Sequence, residues 1–196
     1  YYEAGGISAF GGIHSRQLKN QLDGTINTDD IQAAIRIDNV HFPKTSAISL
    51  ENTHNLCNGS PLSLEYTRDV AQIARKHNIK LHIDGARIFN AAVALDVDVK
   101  DLIAEADSIT FCLSKGLSAP VGSIICGSKE FIYHARRNRK ALGGGMRQAG
   151  IIAAAGIVSL DKMISRIQED HKNAQLLAEG IGHIDGLSID RENIKT

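Results

Sequence analysis

Two short apolar runs, each closing on a charged residue, constrain this chain more than any other feature. The first, residues 79–83 (IKLHI), alternates apolar and polar side chains, the period of a half-buried strand. It stops at Asp84-Gly85, with Arg87 just beyond. The second, residues 109–113 (ITFCL), is rich in β-branched and aromatic residues and also predicts a strand. It stops at Ser114-Lys115-Gly116. A helical pattern over residues 64–77, with apolar Leu64, Val70, Ala71, Ile73 and Ala74, feeds the first run, and an apolar strand over 45–50 precedes that helix. Strand, helix, strand is a crossover, and a crossover implies parallel pairing. The expected fold class is therefore α/β, a mostly parallel central sheet flanked by helices.

In open α/β sheets, ligands sit outside the carboxyl ends of the strands. Parallel strands would bring Asp84, Arg87 and Lys115 together there. Singly, each is an ordinary surface or loop group. Together they suit one chemistry: a lysine can form a Schiff base with an aldehyde cofactor, and an acid can pair with the protonated ring nitrogen of pyridoxal phosphate (PLP). A protonated ring is the better sink for the electrons of a carbanion, and Gly116 would let a flat ring approach the backbone. The strand over 45–50 delivers five polar residues, Glu51-Asn52-Thr53-His54-Asn55, to the same edge. His54 there has the side chain suited to a general base or to touching a substrate hydroxyl.

Elsewhere the patterns are plainer. Residues 1–12 are small and glycine-rich, a turn into a short helix, and carry no GxGxxG or Walker pattern. Asn27-Thr28-Asp29 offers a cap for a helix over 30–36, and Asn58-Gly59-Ser60-Pro61 is a turn. Helices are expected over 88–95 and 100–106, a further strand over 121–126, and a basic, solvated helix over 129–141. Gly143-Gly144-Gly145 ends that helix and leads to Arg147, whose guanidinium suits a phosphate. Residues 148–167 predict one long helix, apolar almost all round in its first half and so buried in the fold or at a subunit interface. A more polar helix follows to about 181, and residues 184–189 suggest the first strand of a second domain.

Lysine plus arginine and aspartate plus glutamate both number 22, so charge makes no case for a nucleic-acid or membrane partner. The longest apolar runs, such as 151–155, are too short to span a bilayer. No basic stretch followed by an apolar core marks a signal peptide. Three cysteines without a CxxC pair argue against a disulfide framework or zinc site. No metal is expected. Cys112 and Cys126 are expected as small core residues, in a reducing compartment such as the cytoplasm. The start at Tyr1-Tyr2-Glu3 without Met, and the end after IDRENIKT, suggest a piece of a longer chain.

Five segments, in this order, resemble the low-specificity L-threonine aldolases, PLP enzymes of the aspartate-aminotransferase fold type (fold type I). They are YEAGG (2–6), ISLENTHN (48–55), HIDGARIFNA (82–91), CLSKGLSAPVGS (112–123) and GGGMRQAG (143–150). The resemblance covers essentially the whole chain. It implies a PLP-binding large domain over 1–160, lacking its N-terminal part, then a linking helix and the start of a small α+β domain over 161–196. It also implies roles. Lys115 looks like the Schiff-base lysine and Asp84 like the partner of the pyridine nitrogen. Arg87 looks like the arginine at the cofactor's ring hydroxyl and the substrate carboxylate. His54 resembles the histidine near the substrate hydroxyl, and Arg147 the arginine that reaches a cofactor phosphate of a neighbouring subunit. Family members are typically homotetramers. Their chains continue upstream with a ring-stacking histidine and a Gly-Thr phosphate segment, and downstream with a further carboxylate-binding arginine. The implied reaction is retro-aldol cleavage of L-threonine or L-allo-threonine to glycine and acetaldehyde. Another fold-type-I lyase or aminotransferase is the alternative, as is a truncated chain that only packs with full-length subunits.

Overall fold

A computed structural model of the chain describes residues 2–190 and residue 194. Tyr1 and the last part of the expected C-terminal segment (191–193, 195 and 196) lie outside the described residues. A short α1 (Gly6–Ala9) follows a 3-10 turn, and α2 (Thr28–Ala34) is capped by the Asn27 side chain, which accepts the N–H of Asp29. The strands are β1 (Ala47–Glu51), β2 (Lys80–Asp84), β3 (Ser108–Cys112) and β4 (Ser123–Gly127), forming a sheet of order β1-β2-β3-β4. The first three run parallel and β4 is antiparallel to β3. Between the strands lie α3 (Leu64–Lys76), α4 (Ile88–Leu95) and the one-turn α5 (Val99–Leu102). After β4 come α6 (Lys129–Ala141), α7 (Gly150–Lys162) and α8 (Ile167–Ile181).

The α/β fold with a mostly parallel sheet is thus present, and its cause is visible in the crossover. Val70, Ala71 and Ala74 of α3 are buried with Leu50 of β1 and Leu81 of β2. A second cluster joins Ile83 and Ile109 of the sheet to Ile88, Ala91 and Ala92 of α4. A third sets Leu113, Leu117 and Ala119, around Lys115, against Ile167 at the start of α8. That last cluster roots the loop after β3 in the body of the fold.

Four expectations change. Residues 148–167 are not one helix: α7 stops at Lys162, a 3-10 turn covers Ile164–Arg166, and α8 begins at Ile167. Of the two alternatives for the apolar half of α7, burial within this chain fails, since Ile151 is 82% and Ile157 61% exposed, and the subunit interface is the one left. Cys126 is not a core residue, because all of β4 is exposed and Cys126 with it. Residues 184–186 form a bend and turn and 187–189 have no regular structure, so no strand forms there, and no described strand pairs with them.

Candidate active site

The parallel strands end level with one another. Glu51 of β1 is in register with Asp84 of β2, and Asp84 with Thr110 of β3. The backbone then turns sharply. Asp84 Oδ1 accepts the N–H of Ala86 at 3.2 Å, while the Gly85 N–H donates to the Thr110 carbonyl at 2.7 Å. Gly85 is required by that approach, for a Cβ there would stand 2.8 Å from the Thr110 oxygen. The turn places Arg87 at the mouth of α4 as its N-cap residue.

From β1, Glu51 organises the polar edge. Its Oε1 accepts the backbone N–H of Asn55 at 3.0 Å, and its Oε2 lies 3.6 Å from Nε2 of His54. Asn55 Oδ1 in turn accepts from Arg87 Nη1 at 3.2 Å, tying the guanidinium to the strand end. The loop after β3 is closed by Ala119 N–H donating to Leu113 O and Ser118 N–H to Lys115 O, both at 2.9 Å. With Leu113 and Leu117 buried, the exposed Lys115 projects from a stapled turn.

These elements border an open cavity of about 560 Å³ lined by Asn55, Asn58, Gly59, Arg87, Asn90, Lys115, Gly116 and Asp170. The structure therefore brings Arg87 and Lys115 together. Asp84 lies at the same sheet edge, exposed, but outside that wall. His54 is also outside it and only 9% exposed, backed by Gly24, where a Cβ would come within 2.9 Å of the His54 Cβ. Arg147 is exposed on the segment before α7, away from the cavity wall. Sequence reasoning missed Asn90, Asp170 and His171. A lone polar residue in IFNAAVAL, three positions past Arg87, was the available signal for Asn90. Nothing in the local pattern separated Asp170 and His171 from an ordinary helix face.

The residues present fit pyridoxal phosphate in size and in chemistry. The cavity falls within the usual range for small-molecule sites, roughly 300–1,000 Å³. Two cations against one carboxylate favour an anionic ligand, and the amine of Lys115 can condense with an aldehyde. Thr53 Oγ1 and His54 Nδ1 are buried at the strand end without a hydrogen-bond partner among the described residues, so polar capacity is left over there.

The beta-eliminating lyase family model matches residues 1–196. A probable low-specificity L-threonine aldolase 2 of Arabidopsis thaliana is 50% identical over 197 residues, spanning 100% of this chain and 56% of the relative. The chain spans about half the length of the curated relatives it matches. Among solved structures, a putative L-allo-threonine aldolase from Listeria monocytogenes EGD-E superposes with a TM-score of 0.80 at 22% identity, covering 94% of this chain and 49% of that one. A PLP-dependent aminotransferase from Streptococcus suis 89-1591 gives a TM-score of 0.68 at 18% identity, covering 91% and 46% respectively. At such identities the likeness shows a shared fold.

Proposed function

Because the chain belongs to the beta-eliminating lyase family, we propose that it is the catalytic core of a PLP-dependent aldolase that cleaves L-threonine or L-allo-threonine to glycine and acetaldehyde. The carrying observation is the convergence of Lys115 and Arg87 on one cavity at the carboxyl ends of parallel strands, with Asp84 at the same edge. Identity of about half to curated threonine aldolases supports the same reading.

Each residue has a task set by its chemistry. Lys115 Nζ is the amine that would hold the cofactor covalently. Asp84, exposed as the last residue of β2, would hold the proton of the cofactor's ring nitrogen. Pyridoxal phosphate, when bound, supplies a conjugated ring that accepts the electron pair released as Cα–Cβ breaks. Arg87, aimed by Asn55, binds the substrate carboxylate with its fork of N–H donors. His54, or a water it holds, takes the proton of the β-hydroxyl, and Nδ1 is the ring nitrogen without a hydrogen-bond partner among the described residues. Arg147 reaches the phosphate bound by a neighbouring subunit, in a homo-oligomer, here taken to be a tetramer, working in the cytoplasm. Residues 1–160 form most of the PLP-binding domain, and 161–196 the link to a smaller one.

The test is product analysis with threonine. Wild-type protein should release acetaldehyde and glycine in equal amounts, an outcome transamination does not give. Lys115→Ala should lose on the order of 10³-fold or more of this activity. Ordinary threonine cleavage by Lys115→Ala would sink the proposal.

A further inference from the structure

Asn90 is a polar residue in an otherwise apolar helix, and it is 7% exposed. Burying an amide costs free energy unless its donors and acceptors are met. One hydrogen bond and one close packing contact hold it in place. Asn90 Nδ2 donates to Nε2 of His171 at 3.2 Å, a buried bond between α4 and α8. On its other side the amide lies so close to Gly116 that a Cβ built there would stand 2.5 Å from Oδ1 and 3.3 Å from Cγ. Gly116 directly follows Lys115, Arg87 precedes Asn90 by three residues, and Asn90 lines the same cavity as both cations. His171 is buried as well. Burial holds its imidazole below the ordinary histidine range, against the opposing pull of Asp170, and a neutral ring leaves Nε2 able to accept the amide N–H.

We propose that Asn90 is the positioning residue of the lysine loop: it fixes the backbone at Gly116, and so the point from which Lys115 enters the cavity, while His171 on α8 fixes Asn90. The proposal rests on the reading above in taking Lys115 as the reactive amine. Asn90 touches the loop backbone and acts through Lys115. Its leverage is geometric, because a misplacement of about 1 Å costs roughly 100-fold in rate.

The experiment uses the full chain as wild type, Asn90→Ala, His171→Ala, His171→Gln, Gly116→Ala and the double variant Gly116→Ala/Asn90→Ala. One readout is kcat and KM for threonine. The other needs neither cofactor nor substrate: the rate at which trinitrobenzenesulfonate labels Lys115, mapped by peptide mass, with exposed Lys100 and Lys129 as internal controls. Asn90→Ala and His171→Ala should lower kcat roughly 10–100-fold with KM little changed. They should shift Lys115 labelling several-fold while leaving the controls alone. His171→Gln, whose amide can still accept from Asn90, should recover most of kcat. Gly116→Ala should be more damaging than either, and adding Asn90→Ala should relieve it by vacating the space its methyl needs.

Unchanged kcat and unchanged Lys115 labelling in Asn90→Ala would overturn the proposal, as would a Gly116→Ala protein indistinguishable from wild type. If Asn90→Ala fails to fold by circular dichroism, His171→Gln and Gly116→Ala decide by the same criteria. If wild type cleaves no threonine yet Asn90→Ala shifts Lys115 labelling, the aldolase reading fails and the positioning role stands.

Discussion

His82 sits mid-strand in β2, half-buried, with Nδ1 hydrogen-bonded to Ser108 Oγ of β3 at 2.9 Å. Burial pushes its pKa below the ordinary value, and nearby Asp84 and the Ser108 backbone only partly counter it. His171 is shifted in the same direction, again chiefly by burial. The sign follows. The unfolded chain, titrating near the ordinary value of about 6.5, takes up a proton before the folded one does. The contribution of these neutral rings is therefore full above pH ~6.5 and is lost as pH falls from there toward their folded values. Urea midpoints should drop between pH 7.5 and 5.5, and the drop should shrink in His82→Gln. A variant with an unaltered pH dependence would refute this account of His82.

At the scale of elements, α3 is the crossover that makes the sheet parallel, and its start is fixed by a single hydroxyl. Ser63 Oγ accepts the Tyr66 N–H at 3.1 Å, while the Ser63 carbonyl accepts from Thr67 Oγ1 at 2.9 Å. Ser63→Ala should cost about 1 kcal/mol, lowering Tm by roughly 2–4 °C for a chain of this size. Thermal unfolding followed by circular dichroism measures it, and no loss would mean that water replaces the cap without penalty. This crossover was legible because alternation in IKLHI and helical spacing over 64–77 are local patterns, and strand ends then point to Asp84, Arg87 and Lys115. Asn90 and His171 were not legible, because their pairing spans 81 residues and depends on how α8 lies against α4. Apolar spacing likewise announced α7 but did not say what would cover it. The exposure of Cys126 goes with that of all of β4, whose faces the rest of the described chain leaves uncovered, a property of the packing rather than of SIICG.

Across the whole molecule, charge is balanced and no helix among the described residues is long and apolar enough to cross a membrane. What stands out is α7, which turns Ile151, Ile157 and Val158 outward. Isolated apolar side chains are common on surfaces, but three on one short helix form a patch of the kind that marks contact sites. If the proposed assembly uses this face, the full chain should sediment well above monomer mass, and Ile157→Glu should shift it toward monomer. A wild-type protein that sediments as a monomer at micromolar concentrations would exclude it. The long reach of the Asn90–His171 bond also sets an order of events during synthesis. A ribosome delivers Asn90, then Lys115, and only later His171, 81 residues after Asn90. At roughly 5–20 residues per second that gap lasts several seconds. Through that interval the nascent chain holds Lys115 on its loop while Asn90 lacks its partner on α8. If Lys115 is the reactive amine, its site matures only when α8 is made, some time after the lysine itself has left the ribosome.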